Sequence, residues 1–240
     1  MEEVEIPLVG GRVTAGVVRV GNTVRRPARG DRSMVHALLS HLAAQGFEAT
    51  PRFLGLDPKG RETLSFLSGE VPTDLGHYDD AVLGAAGRLL RRFHDATADF
   101  PPVRDNGAEV MCHNDWGPPN TVFQGGIPCG IIDFDTIKPG LRLWDIGYSA
   151  MSWLDLGDGA YTGDQQIRRL KLFAEGYGRV DCSAALIAAF AVARQTALAV
   201  AGRAQENRDL AEWASATAAW TVTNITEKLL PTGMVATQSD

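Results

Sequence analysis

The sequence predicts an α+β chain: a small antiparallel lobe of five strands and one helix over residues 1–68, then a mainly helical lobe over residues 69–240. Three observations carry this reading. Residues 5–27 alternate apolar and polar positions in short runs broken by Gly, Asn and Pro, the mark of strands and tight turns, and 52–56 and 63–67 read as two more strands. From residue 79 onward the apolar positions recur at helical spacing instead. Between two helical stretches, Met111–Asp135 (MCHNDWGPPNTVFQGGIPCGIIDFD) places Val122-Phe123 and Ile131-Ile132 on either side of Gly125-Gly126, a strand–turn–strand hairpin.

Composition narrows the class. A chain of 240 residues, 45% hydrophobic and 22% charged, can bury one large core or two smaller ones. A net charge of −6 argues against a nucleic-acid binder, which needs a basic face. The three cysteines, Cys112, Cys129 and Cys182, lack CxxC spacing and read as free thiols in a reducing cytoplasm. MEEVEIPLVGG has no basic flank followed by an apolar run, so no signal peptide is expected. The Ala-rich run 184–201 carries Arg194 and Gln195 at its centre, which predicts a buried helix and no membrane span.

In chain order, Gly10–Gly16 separates a first strand from Val17–Val20, and Gly21-Asn22 turns into Thr23–Arg26, stopped by Pro27. Gly11 and Gly16 let such a loop bring backbone N–H groups close to phosphates. Strand alternation lets only one of Arg25 and Arg26 face a cleft, and Arg25 is the favoured one. Ser33–Gln45 has Val35, Leu38, Leu39 and Leu42 on one face, a cap from Asp31 or Ser33, and Gly46 as its stop. Arg52–Leu56 and Thr63–Leu67 close the lobe around the turn Asp57–Gly60. Helices follow at Asp79–Ala98, from Trp144 to about Trp153, and over Asp164–Tyr177, Ser183–Ala204 and Asp209–Leu230.

The hairpin region supplies the chemistry. Folded about the Gly126–Ile127 bond, it sets Asn120 opposite Asp133 at its open end, with Asp115 on the loop upstream. Such oxygens suit a hard cation such as Mg²⁺. The order His113-Asn114-Asp115, Asn120, then Asp133-Phe134-Asp135 is that of the protein-kinase catalytic loop and metal-binding Asp. With DFD in place of DFG, HND at the loop, and Trp144-Asp145-Ile146-Gly147 after it, the chain resembles the aminoglycoside phosphotransferase family of kinase-like enzymes from about Val9 to Pro231.

The resemblance implies a protein-kinase-like two-lobe fold and Mg²⁺-dependent transfer of the γ-phosphate of ATP or GTP to a small-molecule hydroxyl. It implies Asp115 as the base, Asn120, Asp133 and Asp135 around metal, and Phe66-Leu67 as the hinge whose backbone meets the adenine. His113 would hydrogen-bond within the loop and a buried Asp145 would brace it. An aminoglycoside-like cationic antibiotic is the acceptor class implied, giving resistance or self-immunity. Its ammonium groups would meet Asp155, Asp158 and Glu212, with Trp153 and Trp213 as stacking surfaces. The alternatives are a choline-type metabolite kinase and a catalytically silent nucleotide-binding module. The second draws on two departures: no Lys on the third strand, and no acid in helix 33–45, where kinases carry the Glu that holds that Lys. No obligate protein partner is evident.

Overall fold

The computed structural model describes residues 4–8 and 16–229. Gly11 and most of the expected phosphate-binding glycine loop lie outside the described residues; Gly16 lies inside them, at φ 86°. The chain divides into two compact units: residues 1–75 with 92–140, and 76–91 with 141–240. The first unit runs on to Leu75 and includes the 111–135 hairpin together with the N-terminal sheet.

In the first unit, strands β1 (Ile6–Pro7), β2 (Val18–Val20), β3 (Thr23–Arg26), β4 (Phe53–Leu56) and β5 (Glu62–Ser65) form a sheet of order β1-β2-β3-β5-β4. Every pairing is antiparallel. The β4–β5 turn is held by Asp57, whose carboxylate accepts from the backbone N–H groups of Lys59 and Arg61 and from Arg61 Nε at 2.7 Å. Helix α1 (Ser33–Ala44) buries Val35, Leu38, Leu39 and Leu42, the apolar face legible in the sequence. Its N-cap residue is Arg32, and Asp31 accepts the Ser33 N–H from one position further out.

Helix α2 (Asp80–Thr97) contains the unit boundary, after Arg91. The first unit continues with the short helix α3 (Pro101–Asp105) and with β6 (Val110–Cys112), β7 (Thr121–Gln124), β8 (Ile127–Ile131) and β9 (Lys138–Gly140). The pairing of β6 with β9 joins the start of the catalytic loop to the segment that follows DFD. Sequence periodicity did not predict either strand, because three residues leave no period to read.

The second unit holds α4 (Arg142–Leu154), α5 (Gly163–Tyr177), α6 (Ala184–Ala204) and α7 (Arg208–Thr221), the last continuing as a π-helical stretch over Val222–Thr226. Thr162 and Gln165 form a capping box on α5, and Ser183 caps α6. By length and composition α6 could cross a membrane. Here it packs on α4 and α7, with Gly147 against Phe190 and Gly202 against Ala211. Arg194 at its middle lies over the rings of Trp144 and Tyr148.

Candidate active site

The hairpin turn is two residues, Gly125 and Gly126, at φ 56° and 78°. Positive φ at both positions is the type I′ requirement, which glycine meets without strain. The turn therefore sits one residue earlier than the Gly126–Ile127 bond expected from sequence. A bulge between Val122 and Phe123 then shifts the ladder, so Thr121 pairs with Ile131 and the Ile132 N–H donates to the Asn120 carbonyl at 3.1 Å. Asn120 thus lies opposite Ile132 and not Asp133. Asp133 follows directly in a left-handed conformation, φ 65°.

The loop before the hairpin is laced to the strand after it. His113, fully buried, faces the Ile132 carbonyl through Nε2 at 3.0 Å, while its Nδ1 accepts the Asp115 N–H at 3.4 Å. Thr136 Oγ1 donates to the His113 carbonyl at 2.6 Å, and Asn114 Nδ2 to the Thr136 carbonyl at 3.0 Å. Asn120 Nδ2 donates twice to one residue: to the Asp115 carbonyl at 2.8 Å and to Asp115 Oδ2 at 3.0 Å. The amide nitrogen is thereby committed to Asp115, and the Asn120 oxygen is left as its donor for a cation.

Charge is concentrated at Asp133 and Asp135. Arg26 Nη1 meets Asp133 Oδ1 at 3.2 Å, and Arg26 Nη2 pairs with Asp135 Oδ2. Arg32 Nη1 takes the other Asp135 oxygen at 2.6 Å. Burial pushes the Asp133 carboxyl above its ordinary value, and the Asp135 charge adds to this against the pull of Arg26. Burial acts on Asp135 in the same direction, but there the charges and hydrogen bonds of Arg26 and Arg32 outweigh it and hold the carboxyl low.

Arg25, favoured from sequence, points elsewhere. Its Nη1 donates to Thr23 Oγ1 at 2.9 Å and its Nε lies 3.8 Å from Asp57. Strand alternation did select one arginine of the two, and it is Arg26. His36 stacks on Phe53 at 3.7 Å and faces Glu62 Oε1 at 2.5 Å. At the expected hinge, β5 ends at Ser65. The Phe66 N–H is taken by the Asn22 carbonyl at 2.9 Å, and Arg19 lies over the Phe66 ring at 3.9 Å. The Leu67 backbone has no hydrogen-bond partner among the described residues. Gly69 then approaches the hairpin closely, beside the reciprocal Glu70–Phe123 bonds of 2.9 and 2.8 Å.

In the second unit, Asp155 is half-buried in a left-handed conformation, and Asp158 pairs with His77 at 2.7 Å. Glu212 is exposed beside Arg208. Trp153 is fully buried, so it offers no stacking surface, whereas Trp213 is 43% exposed. Asp145 is fully buried in the first turn of α4.

A five-stranded sheet with one helix, a His-x-Asp loop and a hairpin ending in acids define a kinase-like fold. The model of the phosphotransferase enzyme family matches residues 97–182. The trifolitoxin immunity protein of Rhizobium leguminosarum bv. trifolii is 36% identical over 197 residues, covering 72% of this chain and 74% of that protein. Among solved structures, a choline/ethanolamine kinase family protein from Mesorhizobium loti aligns at TM-score 0.60 with 17% identity, over 96% of this chain and 89% of its own. The GDP complex of aminoglycoside 2′-phosphotransferase-IIIa aligns at TM-score 0.55 with 13% identity, over 93% and 94%. The chain belongs to the phosphotransferase enzyme family.

Proposed function

We propose that the protein transfers the terminal phosphoryl group of ATP or GTP to a hydroxyl of a small molecule in the cytoplasm, as an immunity or resistance function against an antibiotic. In this reading residues 1–68 are the nucleotide-binding lobe and 69–240 the catalytic and acceptor lobe. The observation that carries it is the double hydrogen bond from Asn120 to Asp115, which sets a carboxylate base and a cation-binding oxygen at a fixed span. Immunity is supported by the relative that carries that name, and a guanine nucleotide as donor by the GDP complex of a structure sharing the fold.

In the step, the acceptor oxygen attacks the γ-phosphorus, the bond to the bridging oxygen breaks, and the nucleoside diphosphate leaves. Asp115 orients the hydroxyl and takes its proton. The donors present fit a hard divalent cation: the Asn120 amide oxygen, and an Asp133 carboxylate whose charge is disfavoured by burial until a cation relieves it. Mg²⁺ held there would neutralise phosphate charge. Both Asp135 oxygens pair with arginines, so in this reading Asp135 serves them as counter-ion and the cation falls to Asn120 and Asp133. Arg26 is the phosphate-facing cation in place of the strand Lys, and Leu67 supplies the hinge backbone.

A cationic acceptor is taken first in this reading because aminoglycoside phosphotransferases share the fold. The test is calorimetric binding of ATP and GTP with and without Mg²⁺, then nucleoside diphosphate release across hydroxylated amines, choline included, and neutral alcohols. Acceptor-dependent release that requires Asp115 is the expected result. Absence of nucleotide binding in any condition would remove the proposal.

A further inference from the structure

The helix that lacks an acid is served by one from the sheet. In the β3–β5 register Glu62 is the partner of Arg26, so the two side chains leave the same face of the sheet. Glu62 is 1% exposed, and its Oε1 accepts from Arg32 Nε at 3.1 Å and faces His36 Nε2 at 2.5 Å. Arg32 in turn reaches Asp135 through Nη1 at 2.6 Å. One guanidinium thus joins a buried carboxylate behind the site to the DFD acid in front. Burial works against the Arg32 charge, and the two carboxylates outweigh it.

Two features set this apart from an ordinary structural ion pair. Glu62 Oε2 is buried with no hydrogen-bond partner among the described residues, a cost of about 1–3 kcal/mol that an apolar side chain would avoid. A buried polar atom kept at such a cost calls for a role other than packing. Arg32 is also only partly used: its Nη2 has no acceptor among the described residues. That side chain, with Arg26 and Arg29, lines a cavity of about 370 Å³ that also exposes Asp135. Three arginines face two aspartates, Asp31 and Asp135, around this cavity, and the excess positive charge favours an anion there.

We propose that Arg32 is a second phosphate-binding residue beside Arg26, and that Glu62 is the positioning residue that aims it. Glu62 thereby takes, from strand β5, the part that a helix carboxylate plays toward the strand Lys in kinases. The guanidinium fork suits this arrangement: Nε is anchored by Glu62 and Nη1 meets Asp135, while Nη2 remains for a phosphate oxygen. A lysine presents its three donors from a single nitrogen, so it lacks the reach of the fork across partners set this far apart. His36, stacked on Phe53, walls the Glu62 carboxylate on its other side and keeps Oε1 in line with Arg32. The proposal rests on the nucleotide-dependent reading above.

The experiment is calorimetric affinity of the intact protein for Mg-ATP and Mg-GTP, with the parent nucleosides read by competition, for Arg32→Ala, Arg32→Lys, Glu62→Gln and the Arg32→Ala/Glu62→Gln double variant. Melting temperatures are taken without nucleotide. Arg32→Ala should weaken triphosphate binding tenfold or more and leave nucleoside binding within twofold. Arg32→Lys should recover little. Glu62→Gln keeps the shape but weakens the anchor; it should cost several-fold in triphosphate affinity alone and add nothing in the Arg32→Ala background. Triphosphate affinity within twofold of wild type in Arg32→Ala overturns the proposal. So does an equal loss for nucleoside and triphosphate, or additive losses in the double variant. Wild-type protein that binds no nucleotide overturns the phosphotransferase reading as well, and the two failures are told apart by that wild-type measurement.

Discussion

Gly69→Ala tests how the hinge is pinned to the catalytic hairpin. Gly69 sits at φ 146°, and a Cβ there would lie 2.3 Å from the Phe123 carbonyl oxygen and 2.6 Å from Val122 Cγ1. The oxygen is backbone and cannot swing aside, so the segment must move and the two Glu70–Phe123 bonds go with it. Backbone strain at such a position costs about 1–3 kcal/mol, and each of the two lost hydrogen bonds about 0.5–1.5 kcal/mol, which puts the total at about 2–6 kcal/mol. For a chain of this size that is a fall in melting temperature of about 4–24 °C. Gly60→Ala is the control: φ is 74° but nothing lies within 4 Å of the added carbon, so only backbone strain of about 1–2 kcal/mol applies. Thermal unfolding of both variants decides. Equal drops, within about 2 °C of each other, would mean that the close approach does not constrain the hinge.

Asp115→Ala should lower turnover by about 10²–10⁴, the usual contribution of a positioned base, while nucleotide affinity changes less than about fivefold because Asn120 keeps its bond to the Asp115 carbonyl. Asp133→Asn should raise the Mg²⁺ concentration needed for half-maximal nucleotide binding more than Asn120→Ala does, since the carboxylate brings a full charge; a Mg²⁺ titration at fixed nucleotide reads it. Arg26→Ala should weaken nucleotide binding by about tenfold or more, the value of a charge-assisted hydrogen bond, and Arg25→Ala by less than about threefold; calorimetry that ranks them in reverse would refute the assigned faces of β3. Asp57→Ala should melt lower at neutral pH. Its backbone and Arg61 hydrogen bonds outweigh burial and hold the Asp57 carboxyl below the ordinary value of 3.8, so its stabilisation is present above that value and lost as pH falls through the lowered one. The gap between wild type and variant should therefore close in acid, as followed by urea unfolding.

The sequence by itself determined the class of the fold and the order of the site. Alternation broken by glycine can only make short antiparallel strands, and the apolar stripe of Ser33–Ala44 can only be a helix lying on them. His113, Asp115, Asn120 and Asp133 are near in sequence, so local spacing was enough to bring them together. The tertiary structure decided what depends on register and on distant partners. A two-glycine turn and one bulge moved Asn120 opposite Ile132, a displacement that alternation cannot show. The pairing of β3 with β5 turned Arg26 and not Arg25 to the acids, and set Glu62, from a strand 36 positions along, beside Arg26. Arg32 and Glu62 are 30 residues apart and Arg32 and Asp135 are 103 apart, so no periodicity links them. Only folding places those charges in one low-dielectric site, where a carboxylate and a guanidinium hold each other in position.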